Sequence, residues 1–151
     1  MRFSGVMLIP IIEQGLTSFI ASLLFGLIFN APKNMLIPCG TVGMLSWLIY
    51  FIIEPGYEAV SATLAATVVI GVMSQLFARK YKQPVIIFSV AGIIPLVPGG
   101  LSYNAMRYFV QNDYSTAVEH AAKALILAGT IAVGLVLSEV LNQAFRRNVK
   151  S

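Results

Sequence analysis

Five long apolar stretches, each closed by a short polar or proline-containing segment, leave this chain few ways to fold. Hydrophobic residues make up 58% of it and charged residues 11%, and its mean hydropathy is +0.83. Crossing a bilayer takes about 20 apolar residues. The hydrocarbon offers no water to satisfy backbone polar groups, so such stretches cross as helices. We expect an all-α integral membrane protein with five transmembrane helices at about residues 6–29, 35–53, 59–77, 85–110 and 117–145. Residues 1–151 form a single transmembrane domain in this reading, without a soluble domain. Glu13 and Gln14 lie inside the first stretch and no small-residue cleavage signal follows it, which favours a retained span over a cleaved leader.

Small residues recur at helical spacing along three of the spans. Gly15, Ser18, Ser22 and Gly26 form such a face on the first, Ala62, Ala66, Gly71 and Ser74 on the third, and Ala121, Ala124, Ala128 and Ala132 on the fifth. Where lipid removes the hydrophobic drive between helices, faces of this kind let backbones approach closely. Trp47 and Tyr50 read as interfacial anchors. Ser115 or Thr116 with Glu119 offers a capping box for the last helix.

Basic residues sort by side. With alternating crossings, Lys33, Arg79, Lys80, Lys82, Arg146, Arg147 and Lys150 share one face, seven of the ten cations. Arg2, Arg107 and Lys123 fall on the other, with Glu54, Glu58, Asp113 and Glu119. The positive-inside tendency puts the first group in the cytoplasm, with the N-terminus out and the C-terminus in. A net charge of +4 distributed at span ends is no sign of nucleic-acid binding. One cysteine rules out an internal disulfide, and Cys39, within an apolar run, reads as packing.

The fourth span is interrupted at Pro95–Gly100, within Ile93-Ile-Pro-Leu-Val-Pro-Gly-Gly-Leu-Ser-Tyr103. Pro95 and Pro98 lack the N–H that a continuous helix requires, and Gly99 and Gly100 admit backbone angles closed to other residues. Irregular backbone at membrane depth is tolerated where protein buries it or where it lines a wet cavity. A helix restarting here, capped by Gly100 or Ser102, presents free N–H groups and the positive end of its dipole to an anion. Pro95, Pro98, Gly99, Gly100, Tyr103, Asn104 and Arg107 are therefore the candidate substrate-binding residues. A simple proline kink is the structural alternative.

An ionisable group inside the hydrocarbon is a functional candidate because leaving it in lipid is costly. Glu13 is the candidate for coupling to a proton or cation, and Arg107 can meet a substrate carboxylate or Asp113. Glu139, His120 and Lys123 read as interfacial. No metal-ligand cluster, nucleophile with its base or phosphate loop occurs in the sequence, so neither a metal, a cofactor nor catalysis is expected.

Gly92-Ile-Ile-Pro-Leu-Val-Pro-Gly-Gly-Leu-Ser-Tyr-Asn-Ala-Met106, preceded by apolar spans and by the basic Ala78-Arg-Lys-Tyr81 end, resembles the threonine/serine exporter family. The resemblance is closer to its small-subunit, YjjB-like branch. It implies a bacterial inner-membrane subunit working with a larger one, which brings a soluble N-terminal region and a further membrane half. It also implies export of threonine and serine, with succinate export associated with the split two-subunit form. The expectation is therefore a secondary exporter of small carboxylate-bearing metabolites. A non-transporting membrane scaffold and a channel-type pore are the alternatives.

Overall fold

In the computed structural model, residues 8–148 are described, and they form six helices. These are α1 (Leu8–Ile28), α2 (Leu36–Ile53), α3 (Ala59–Tyr81), α4 (Val85–Ile93), α5 (Gly99–Val110) and α6 (Tyr114–Asn148), with short 3₁₀ turns before and after α2 and between α4 and α5. No strand occurs among the described residues. Helices α1, α2, α3 and α6 are each long and apolar enough to cross a membrane, while α4 and α5 qualify as a pair bent by 51°. Arg2 and Lys150 lie outside the described residues.

The helix ends follow local chemistry. Asn30, Lys82 and Asn112 adopt left-handed φ of 57°, 54° and 62°. After α1, Ala31 N–H reaches Gly26 C=O at 2.9 Å and Asn30 N–H reaches Leu27 C=O at 3.0 Å. After α5, Asp113 N–H reaches Tyr108 C=O and Asn112 N–H reaches Phe109 C=O in the same pattern. Both are Schellman endings with asparagine at the left-handed position. The cap of α6 corrects an expectation: its helix begins at Tyr114, and Asp113 Oδ1 accepts from Thr116 N–H at 3.2 Å. Ser115, Thr116 and Glu119 lie inside the helix, because Asp113 already occupies the N-cap position.

Two of the three small-residue faces are packing faces. Gly15, Ser18, Ser22 and Gly26 are buried. A Cβ at Gly15 would touch Leu48 and Met44, and one at Gly26 would touch Leu36 and Cys39, so α1 lies antiparallel on α2. Ala62, Ala66, Gly71 and Ser74 are likewise buried in α3. On α6 the expectation fails, since Ala121, Ala128 and Ala132 are exposed and only Ala124 of the four is buried. Gly134 is buried against Thr67 of α3, and the other buried positions are Ala117, Ala124, Ile131 and Ser138. Ala117, Ala124, Ile131 and Ser138 recur every seven residues, the spacing that keeps one seam facing a partner over a long helix, with Gly134 on the same seam, whereas the alanine series drifts off it.

Phe88, Ile70, Val42 and Cys39 are fully buried at the centre, where α2, α3 and α4 meet. The Phe88 ring lies 5.9 Å from Phe77 and 6.3 Å from Tyr81. Ser46 Oγ is 3.2 Å from Gly92 C=O, joining α2 to α4. Between membrane helices such a bond contributes about 0.6 kcal/mol, so van der Waals packing is the larger stabilising term.

Helix direction decides the number of crossings. Helix α4 runs parallel to α2, with Cys39 against Ile87 and Ser46 against Gly92. Helix α6 runs parallel to α3: a Cβ at Gly134 would meet Thr67, one at Gly71 would overlap Ser138, and Arg79 bonds Asn142. Since α4 runs opposite to α3, a re-entrant α4–α5 would return α6 antiparallel to α3. The observed direction makes α4 and α5 one broken crossing, the fourth of five. It also brings Lys33, Arg79, Lys80 and Lys82 to one end of the bundle, since the α1–α2 turn lines a cleft with Ile86 and Ile87 of α4.

Helix α6 has 35 residues and α3 has 23. At 1.5 Å per residue, the first twelve positions of α6 extend about 18 Å past the start of α3. This overhang packs on α5, whose main neighbour is α6. The two form a hairpin enclosing a 450 Å³ groove between Ala105, Met106 and Phe109 of α5 and Ala117, Ala121 and Ala124 of α6.

Candidate functional site

The break is built by its two prolines. Pro95 sits in the 3₁₀ turn Ile94–Leu96, and Val97 N–H donates to the Ile93 and Ile94 carbonyls at 3.2 and 3.4 Å. Pro98, at φ −75° and ψ 53°, centres an inverse γ-turn in which Gly99 N–H donates to Val97 C=O at 2.7 Å. Helix α5 starts at Gly99 with no side-chain cap. Two expectations are corrected here. Neither Gly100 nor Ser102 caps α5; Ser102 lies in its first turn, its Oγ donating to Pro98 C=O at 3.0 Å. And no glycine among the described residues has positive φ, because the two prolines supply the turn and Gly99 and Gly100 are already helical.

The glycines matter for openness instead. A Cβ at either Gly99 or Gly100 would meet nothing within 4 Å. Among the described residues no backbone carbonyl takes the N–H of Gly100 or Leu101, leaving two donors at the positive end of the helix dipole. Gly100, Tyr103, Asn104 and Arg107 follow at i, i+3, i+4 and i+7 and so share one face of α5. Gly100, Tyr103 and Arg107 are exposed and Asn104 half-buried, on the side opposite the groove with α6. Pro95 faces inward, its Cγ 3.5 Å from where a Gly43 Cβ would stand, beside Ser22.

Glu13 is not brought to this face. It is exposed on the outer side of α1, nine positions, or about 13 Å, along the helix from Ser22. Its neighbour Gln14 turns inward, Oε1 accepting from Trp47 Nε1–H at 2.8 Å, so the tryptophan expected as an anchor is also an interhelical tie. Arg107 forms no ion pair with Asp113, whose carboxylate caps α6. His120 stacks on Tyr108 with ring centroids 5.4 Å apart, and its Nδ1 is buried without a partner. Lys123 pairs with Glu119 at 2.6 Å on the exposed side of α6.

A second polar cluster, which the sequence did not single out as a site, lies between α3 and α6 at the basic end. Gln75, buried, donates from Nε2 to Glu139 Oε2 at 2.9 Å and lies 3.4 Å from Ser138 C=O. Gln143 Nε2 donates to Glu139 Oε1 at 3.2 Å, and Arg79 donates to Asn142 Oδ1. Only the parallel register of two helices far apart in sequence assembles it.

An all-helical bundle of this apolarity, with several helices long and apolar enough to cross a bilayer, defines a multi-pass membrane protein. The sequence model described as Threonine/Serine exporter, ThrE, matches residues 14–141, and the chain belongs to that family. A protein of Corynebacterium glutamicum named Threonine/serine exporter is 28% identical over 117 residues, which are 78% of this chain and 24% of that relative. The chain thus spans about a quarter of the length of this curated relative. No solved structure matches.

Proposed function

We propose that the chain is one membrane subunit of a secondary exporter for small carboxylate-bearing metabolites, threonine and serine foremost, with succinate as the further candidate. The observation carrying this reading is the start of α5: two unpaired N–H groups, open on the outside, directly after a proline-made break. A helix N-terminus favours a carboxylate, and Tyr103, Asn104 and Arg107 add hydrogen-bond donors and a cation on the same face. In this reading Glu13, from the outer side of α1, is the coupling group.

The face has one wall in this chain, and lipid is no solvent for exposed N–H groups. We infer a larger exporter-family subunit supplying the other wall, as in the small-subunit branch, in a bacterial inner membrane. The basic end faces the cytoplasm, with the N-terminus out and the C-terminus in.

Efflux from cells preloaded separately with threonine, serine and succinate tests this, comparing the intact strain with one lacking this chain. Slower efflux of one or more solutes is expected. If every rate is unchanged while a partner protein disappears from the membrane, the chain is a scaffold. Flux that neither saturates nor responds to the proton gradient would make it a channel.

A further inference from the structure

We propose that the cleft between the α1–α2 turn and the first turns of α4 is a docking site for an anionic phospholipid. One acyl chain enters the cleft and the phosphate rests at its basic rim. The inference goes beyond the exporter reading and does not depend on it, since it requires only residence in a membrane.

The cleft has a volume of 300 Å³ and is lined by Phe29, Asn30 and Pro32 of the turn and by Ile86, Ile87 and Val90 of α4, among others. Of these only Asn30 is polar. From Ile86 to Val90 the α4 wall runs about 6 Å along the helix, away from the basic end. That depth and apolarity suit the upper part of an acyl chain, just below its headgroup.

The rim is positive and carries no counter-charge. Lys33 directly follows the lining residue Pro32, and Lys82 lies four positions before Ile86. Both are exposed, and neither forms an ion pair among the described residues. Their basic neighbours are engaged elsewhere, Arg79 with Asn142 and Lys80 over the Tyr81 ring, 5.5 Å from its centroid. No acidic residue occurs in 29–35 or 79–87. Backbone donors add to the cations. Helices α2 and α4 run parallel, so both start at this end. The 3₁₀ turn leading into α2 and the first turn of α4 follow Pro32 and Pro84, and neither has a side-chain cap. Among the described residues no backbone carbonyl takes the N–H of Lys33, Asn34, Val85 or Ile86, which leaves two positive dipole ends open. An apolar slot beneath unpaired cations complements a lipid whose headgroup is net negative, and basic pockets between membrane helices take such headgroups. Phosphatidylcholine brings a cation of its own, which these lysines repel.

Native mass spectrometry of the full chain in neutral detergent tests the proposal, by titration with phosphatidylglycerol or with phosphatidylcholine of the same acyl chains. The wild-type chain is expected to retain one phosphatidylglycerol at least about tenfold more tightly than phosphatidylcholine. Lys33→Gln and Lys82→Asn, the latter chosen because asparagine tolerates the left-handed φ of 54° at that position, should each weaken this binding about fivefold. Val90→Trp fills the cleft and leaves every cation in place; it should weaken binding about tenfold, with helical content by circular dichroism unchanged. Glycerol 3-phosphate, which offers the phosphate without the chains, should not displace the lipid. Equal retention of the two lipids by the wild-type chain would overturn the proposal without recourse to any variant. Wild-type affinity in Val90→Trp would also overturn it, reducing the effect to attraction at a basic surface. Displacement by glycerol 3-phosphate would do the same, making the rim a site for free anions.

Discussion

Substituting Gly71 by alanine probes the register that fixes the topology. A Cβ there would overlap Ser138 Oγ and Cβ, and the third nearest atom, at 3.8 Å, is Ser138 Cα. Rotating the hydroxyl cannot relieve this, because Cβ is fixed to the backbone, so the helices must move apart. Such overpacking costs about 1–3 kcal/mol. It is offset by up to about 1 kcal/mol from the better helix propensity of alanine. Gly129→Ala is the control, since its Cβ meets nothing within 4 Å and only the propensity gain applies. Thermal unfolding in detergent, followed by the emission of Trp47, the single tryptophan, should place Gly71→Ala below Gly129→Ala. The gap should be roughly 2–12 °C, at about 2–4 °C per kcal/mol for a chain of this size. Ser138→Gly in the Gly71→Ala background should recover much of the loss, a coupling of about 0.5–3 kcal/mol. Equal melting of the two alanine variants, or no coupling, would refute the parallel packing of α3 and α6.

Other outcomes follow from single contacts. Gln14→Leu removes the acceptor 2.8 Å from Trp47 Nε1; we expect a change in tryptophan emission and a loss of about 0.5–1.5 kcal/mol, and an unaltered spectrum would contradict the tie. Ser46→Ala should destabilise by about 0.6 kcal/mol, and at most about 1.7, through the bond to Gly92 measured by the same melting. Gln83→Cys and Asn112→Cys should react with a membrane-impermeant maleimide from opposite sides, while buried Cys39 stays silent; labelling from one side would make α4–α5 re-entrant.

Much of the bundle was legible because membrane helices announce themselves by length and apolarity, and α1 and α3 carry their small residues on one face. What failed failed locally. Ser115 or Thr116 with Glu119 matched a capping pattern, but Asp113, two places before Ser115, stood at the helix start. The alanines of α6 fitted a helical period, yet a 35-residue helix serving two partners keeps a seven-residue seam, visible only with α3 and α5 beside it. The break at Pro95 and Pro98 was readable because proline fixes φ and removes a donor. That Gly99 and Gly100 are helical and serve as open space needed coordinates. The Gln75, Arg79, Glu139 and Asn142 cluster left no signal in one dimension, since its halves are more than sixty positions apart.

The central claim is that the open start of α5 handles the solute. Gly99→Leu tests it most directly, because the added side chain enters empty space and so spares packing while covering the free N–H groups. The expected result is wild-type melting and membrane abundance with efflux of the preloaded solute reduced to that of cells lacking the chain. Wild-type efflux from this variant would contradict the claim.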